Sequence, residues 1–227
     1  MRAAQPALGP QDIARLLAHA EPGFFRTLFL TALLTGARHN ELLALKWSDI
    51  DLEAGKLSIR RNLTCARVTG EAYRSRFYPP KTKSGNRTMP IAPELTHALK
   101  VWKLQCPPGE LDLVFPKPDG SPMHHSNVLR IGLYPACRRA QLRTVGMHAL
   151  RHTFASLLIR GDAPVNEVSH YLGHSNPAIT LSIYTHWWKT LETQTITTLA
   201  KTVLTGTWTP SGHQNALAAT TATGTES

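Results

Sequence analysis

The apolar period of this chain changes twice, and no other feature constrains its architecture as much. From Ile13 to Trp47 the large apolar residues recur at intervals of three and four, the spacing of one helix face. From Leu57 they fall instead into short alternating runs punctuated by glycine and proline: Leu57-Ser58-Ile59, Tyr73 to Tyr78, and Thr88-Met89-Pro90-Ile91 after Ser84-Gly85-Asn86. Such runs predict a small antiparallel sheet of three strands whose last turn is Ser84-Gly85-Asn86. Helical spacing returns at Pro93, so the expected fold class is α+β, mainly α.

The helical parts have recognisable ends. Gly9-Pro10-Gln11-Asp12 opens a first helix through Ile13, Leu16 and Leu17, residues 24–34 form a more buried second, and Thr35-Gly36-Ala37 breaks it. Helical spacing then resumes over residues 38–47, which puts Arg38 and Glu41 on one face at i, i+3. Residues 93–104 and 127–142 read as further helices, the second kinked by Pro135, whose missing N–H removes a hydrogen bond. Residues 148–159, 165–172 and 177–187 complete the helical half, with Pro164 and Pro177 in first-turn positions.

A length of 227 residues suits one well-buried domain. Its 25 Lys and Arg against 15 Asp and Glu give a formal charge of +10, which favours a polyanionic partner. The whole excess lies in residues 1–200, because residues 201–227 contain only Lys201 and Glu226. That Thr- and Ala-rich end has too few large apolar residues to offset ordering entropy and is expected to be a disordered tail. Cys65, Cys106 and Cys137 are odd in number and widely spaced, with no CxxC pair, so neither a disulfide framework nor a zinc knuckle is indicated. The longest apolar stretch, residues 24–34, is interrupted by Arg26, Thr27 and Thr31, so no membrane segment is indicated and a cytoplasmic protein is expected.

Chemistry concentrates late in the chain. His148-Ala149-Leu150-Arg151-His152 is followed by Leu172-Gly173-His174 and then by Tyr184, gathering a guanidinium, imidazoles and a phenol. A phosphodiester gathers charge on its nonbridging oxygens in the transition state, and planar forked donors match that geometry better than ammonium groups do. Arg151 and the upstream Arg38 are the candidates. A phenol has a pKa near ~10 and needs a proton acceptor, or stabilisation of developing charge, to attack phosphorus. His148 and His152 at i, i+4 also match a zinc pair, but no Glu sits between them at the usual position and no third ligand follows at metal spacing. No metal is therefore expected. A second concentration is basic: Arg60, Arg61, Arg67, Arg74, Arg76, Lys81, Lys83 and Arg87 face only Glu71 between residues 60 and 87. This reads as a duplex-tracking surface that works through phosphate contacts, or else as a solvated hairpin. Arg138, Arg139 and Arg143 offer a second patch.

The ordered set resembles the tyrosine recombinase, or phage integrase, family. Thr35-Gly36-Ala37-Arg38-His39-Asn40-Glu41-Leu42-Leu43 is similar to its first box, His148 to Ser156 to its second, and Tyr184, ten residues after the Leu-Gly-His turn, to its nucleophile. The resemblance covers residues 9–188. It implies an integrase-type catalytic domain over residues 1–200 and site-specific recombination or integration through a covalent 3′-phosphotyrosine, without cofactor. Arg38 and Arg151 are implied to clamp the scissile phosphate, His148 to assist the clamp and proton handling, and His174 to donate to a phosphate oxygen. Glu41 orients these groups, and a hairpin lysine acts as general acid. Lys81 is preferred for that acid because a small residue follows it; Lys83, with Ser84 beside it, stays open. His152 is expected to be a buried residue that supports the active groups from behind or packs, outside the active set.

The implied partner is double-stranded DNA, bound by a chain that is monomeric when free and tetrameric on DNA, with residues 191–204 as a docking helix. Thirty-seven residues precede Arg38. An N-terminal core-binding domain is accordingly expected to be absent and a separately encoded DNA-binding partner is open. Two other functions compete at this point: a noncatalytic DNA-binding remnant, and relaxation of the type IB topoisomerase kind.

Overall fold

A computed structural model describes residues 7–67, 73–80 and 82–184, with the side chains of residues 65–67 and 73–74 outside that description. The described residues fall in one compact unit, Met1–Tyr184, and the second unit, Thr185–Ser227, lies outside them. The expected tail and the docking helix at residues 191–204 therefore lie outside the described residues as well.

Helix α1 (Pro10–His19) starts with proline in its first turn and leads to α2 (Phe24–Thr35), the helix around which the core is built. Phe25, Leu28, Phe29, Ala32 and Leu33 are buried on α2, and each large side chain so removed from water contributes about 1.5–3 kcal/mol. Its threonines are buried too. Thr31 and Thr35 satisfy their hydroxyls by donating to the carbonyls four residues back, at 2.7 and 2.6 Å. Helix α3 (His39–Leu42) is only one turn long, and a 3₁₀ turn, Trp47–Asp49, follows. The helix expected over residues 38–47 is shorter because Leu42, Leu43, Ala44 and Leu45 are all buried, which a single helix face cannot achieve.

Strands β1 (Ile50–Asp51), β2 (Lys56–Ile59) and β5 (Arg87–Pro90) form an antiparallel three-stranded sheet in the order β1-β2-β5. Ile50 pairs with Leu57 and Leu57 with Met89, giving a buried apolar row, while Ser58 and Thr88 share a hydroxyl hydrogen bond of 2.8 Å. The expected sheet is present with one change of membership. Tyr73–Tyr78 (β4) does not join it; β4 pairs with Asn62–Arg67 (β3) in a separate antiparallel ladder running from Asn62 opposite Tyr78 to Arg67 opposite Tyr73. Within this hairpin Leu63 faces Phe77 on the core side, so Asn62, Thr64, Arg76 and Tyr78 share the other face.

Helix α4 (Pro93–Lys103) returns to the core through Leu95, Leu99 and Trp102, whose indole N–H donates to the Val114 carbonyl at 2.6 Å. The kinked helix expected over residues 127–142 is instead three pieces: α5 (His125–Asn127), a π turn (Val128–Leu133) and α6 (Tyr134–Arg139). The wide turn lies directly before Pro135, where an N–H is missing from the helical ladder. Helix α7 (Met147–Arg160) packs on α2, and α8 (Val165–Leu172) packs on α7 and β5. A further helix, α9, covers residues 177–184, the end of the described residues. No helix among the described residues is long and apolar enough to cross a membrane.

Candidate active site

The C-terminal end of α8 organises the site. A helix leaves its last carbonyls without intrahelical partners and its end electronegative, and here three successive carbonyls each accept from a different arginine. Arg87 Nε donates to Tyr171 O at 2.7 Å, Arg151 Nη2 to Leu172 O at 2.6 Å, and Arg38 Nη2 to Gly173 O at 3.4 Å. Those arginines come from β5, α7 and the start of α3. Gly173 closes α8 in the left-handed conformation at φ 62°, and a Cβ there would lie 2.8 Å from Arg87 Nη1.

Arg38 caps α3. Its backbone N–H donates to Glu41 Oε2 and its Nη1 to Glu41 Oε1, both at 2.8 Å, so the i, i+3 pair expected from sequence is formed. Glu41 is buried and also accepts from Arg87, at 2.9 Å from Nη2 and 3.3 Å from Nη1. Burial alone would raise its pKa; the hydrogen bonds and charges of Arg87 and Arg38 outweigh it and hold the carboxyl below its ordinary value. Arg87 was expected on a DNA-tracking surface, and this is corrected. Its side chain is completely buried against Glu41, because β5 alternates and residue 87 shares the inward face with Met89. That period-two alternation was the sequence signal that went unused.

Arg151 is buried on α7. Besides Leu172 O, it donates through Nη1 to Gly36 O at 2.7 Å, and its Nη2 lies 3.1 Å from His174 Nε2. Burial and then the Arg38 charge bring its pKa down to about 9, which leaves it cationic at neutral pH. Gly36 makes this contact available. It ends α2 at φ 59°, and a Cβ there would come within 2.3 Å of the Phe154 ring on α7.

A guanidinium only donates, so His174 Nε2 is the acceptor, and Nδ1 carries the proton towards Thr180 Oγ1 at 2.8 Å. Burial and the charges of Arg151 and Arg38 lower its pKa to about 4. Sequence reasoning made His174 a donor to phosphate; both ring nitrogens are engaged within the protein. His148 is exposed, its pKa lowered by burial of the ring region and by Arg151 and Arg38. Its ring stands perpendicular to that of His152, with centroids 4.6 Å apart. His152, expected to support the site from behind or to pack, places its Nδ1 2.8 Å from the hydroxyl of buried Tyr184. The 32 residues between them give no spacing rule that would have revealed the contact. Burial raises the Tyr184 phenol to about 12, partly opposed by Arg151.

A cleft of roughly 910 Å³ opens beside these groups, lined by Arg38, Glu41, Gly173 and His174 on one side and by Asn62, Thr64 and Tyr78 of the hairpin on the other. Lys81 lies outside the described residues. Lys83 is exposed, at the start of a 3₁₀ turn, Lys83–Gly85. Among the expected DNA-contacting arginines, Arg60 and Arg76 are exposed, and Arg61 is held by the buried carboxylate of Asp49. The Arg67 and Arg74 side chains are outside the described residues. Among the described residues no group of three or more His, Cys, Asp or Glu is arranged to hold a metal ion.

A family model described as the phage integrase family matches residues 7–190. A tyrosine recombinase XerC-like protein of Caldanaerobacter subterraneus subsp. tengcongensis is 34% identical over 190 residues, covering 77% of this chain and 48% of its own. Prophage integrase IntR of Escherichia coli K12 is 31% identical over 193 residues, covering 75% and 45%. The chain thus spans about half the length of the curated relatives it matches. A solved structure of the Tn1549 transposon integrase in complex with circular intermediate DNA superposes with a TM-score of 0.67 at 24% identity, covering 79% of this chain and 63% of that one. That likeness shows the fold.

Proposed function

The chain belongs to the phage integrase family, and on that premise we propose that it cuts and rejoins double-stranded DNA by site-specific recombination, with Tyr184 as nucleophile. The observation that carries this reading is the convergence of Arg38, Arg151, His174 and Tyr184 from four separate elements around one helix end. Two arginines fixed by backbone carbonyls before any substrate arrives are suited to phosphate, because their donors need no reordering when charge develops. Arg38 keeps 42% of its side chain exposed and borders the cleft, so it meets the scissile phosphate first. Arg151 acts from beneath, through its positive charge and the orientation it gives His174.

Attack by the Tyr184 oxygen joins the chain to a DNA 3′-phosphate and releases a 5′-hydroxyl. The phosphotyrosine retains the bond energy, so rejoining needs no nucleotide cofactor. A hairpin lysine, Lys81 or else Lys83, protonates the leaving oxygen. His148, exposed beside Arg151, adds a donor to the phosphate. Arg60 and Arg76, with Arg67 and Arg74, bind the duplex through its phosphates, and Arg76 shares the hairpin face that borders the cleft. Exchange between two duplexes calls for four chains on DNA in the cytoplasm.

The test uses nicked duplexes from a randomised pool, in which a released short 5′-strand diffuses away and traps the covalent product. The wild-type chain is expected to form an adduct resistant to denaturation, and Tyr184→Phe to form none while still binding DNA. An adduct surviving in Tyr184→Phe rejects the nucleophile.

A further inference from the structure

The nucleophile's proton has a destination in this fold. Resting on the recombinase reading above, we infer that His152 is the general base of the reaction, taking the Tyr184 proton on Nδ1 as the phenol oxygen attacks phosphorus.

The hydrogen bond has a direction. Tyr184 is only 4% exposed, and among the described residues its hydroxyl has one hydrogen-bond partner, His152 Nδ1 at 2.8 Å. A buried hydroxyl hydrogen needs an acceptor, so the phenol donates and Nδ1 accepts, leaving the imidazole proton on Nε2. The groups bearing on His152 are His148 and Arg151 on its own helix and the Tyr184 phenol from α9. Burial and then the His148 and Arg151 charges keep the ring neutral at physiological pH, which is the form a base requires. A phenol raised to about 12 attacks slowly unless such a base is in hydrogen-bonding reach. His148 does not fill this role: its ring is exposed, and among the described residues no hydrogen bond joins it to Tyr184.

The step balances. The Tyr184 O–H bond breaks, its proton moves to His152 Nδ1, the tyrosine O–P bond forms and the P–O5′ bond breaks. The 5′-oxygen receives its proton from the hairpin lysine. In rejoining, the incoming 5′-hydroxyl returns a proton to that lysine amine, and the departing tyrosine oxygen recovers its own from the His152 imidazolium. One side chain thus serves as base for cleavage and acid for ligation.

His152→Asn separates proton transfer from positioning, since an amide at the Nδ1 place keeps a hydrogen bond but has no basicity. With duplexes selected from the randomised pool by the wild-type chain, adduct formation at pH 7 is expected to fall by about 10²-fold or more. The variant's rate should then rise close to tenfold per pH unit towards alkaline pH as the phenol ionises unaided, while the wild-type profile stays nearly flat. A 5′-bridging phosphorothiolate, whose leaving sulfur needs no proton, should rescue loss of the lysine and leave His152→Asn slow. A wild-type rate with a flat profile in His152→Asn, or rescue of that variant by the phosphorothiolate, overturns the assignment. Nitrogen NMR of the unmodified chain gives an answer independent of any variant: a protonated Nδ1 on His152 at neutral pH rejects the proposal. If the wild-type chain forms no adduct from the pool, the recombinase reading itself falls, and this inference with it.

Discussion

The end of α8 and the β3–β4 hairpin are both rich in arginine and use it in opposite ways. At the helix end, Arg87 and Arg151 are buried, and their donors are spent on backbone carbonyls, a carboxylate and an imidazole. On and beside the hairpin, Arg60 and Arg76 are exposed, and among the described residues Arg60 approaches Asp49 at 3.9 Å. Burying a guanidinium is tolerable only where partners replace its hydration, and the reward is a donor already aimed. An exposed guanidinium contributes little to the fold but remains available to a phosphate, releasing counterions when it binds. The first set holds the helix end together; the second is, on the proposed reading, the one that attracts the duplex.

The contrast is tested most severely at the Glu41–Arg87 pair. Arg87→Ala leaves the Glu41 carboxylate buried with Arg38 alone, and breaking such a pair is expected to destabilise the fold by about 3–5 kcal/mol in urea titration. A loss below 1 kcal/mol would make Arg87 no different from a hairpin arginine. Next in size is Gly36→Ala, expected to lower stability by about 2–4 kcal/mol through a left-handed φ and a collision with Phe154. Thermal melting checks it.

Acidification should then distinguish the two regions, because among their described residues only the helix-end region carries groups with lowered pKa values. His174, and His39 at the start of α3, are held at about 4, His39 by burial and then by the His125 and His124 charges. Between the ordinary histidine value of 6.5 and about 4 the unfolded chain binds more protons than the folded one. Stability therefore falls as pH drops through that window. Glu41, depressed in the fold, adds a further loss below the ordinary carboxyl range. His174→Gln should flatten the upper part of this profile and Arg76→Ala should not alter it, as melting temperatures at pH 4 to 7 will show. The smallest effect on stability is that of Arg76→Ala itself, within about 0.5 kcal/mol. On the proposed reading its effect is on DNA binding, where the slope of log affinity against log salt should shrink by about 0.9.

Much of this was legible in the sequence, for local reasons. Helices α2, α7 and α8 announce themselves by three-four apolar spacing and by Gly36, Gly161 and Gly173 near their ends, and the Arg38–Glu41 pair follows from i, i+3 geometry. What was not legible depends on tertiary placement. Strand β3 alternates too weakly to signal that β4 pairs with it. The burial of Arg87 lay in the pattern of β5, but a guanidinium among basic neighbours reads as surface until its carboxylate partner, 46 residues away, is brought against it. His148 and His152 lie on the same helix face, and only the docking of α9 decides which one Tyr184 meets.

The π turn at Val128–Leu133 has a consequence for chain length. A π turn accommodates one residue more than an α turn over the same rise, so this segment holds a spare position that the other described helices lack. Deleting exposed Arg130 would let the segment relax to an ordinary repeat with the residues on either side still facing where they do now. Deleting exposed Arg26 from α2 would instead rotate every following core side chain about 100° off its face. If insertions and deletions accumulate anywhere within the helices of this fold, this is the segment that can absorb a shortening by one.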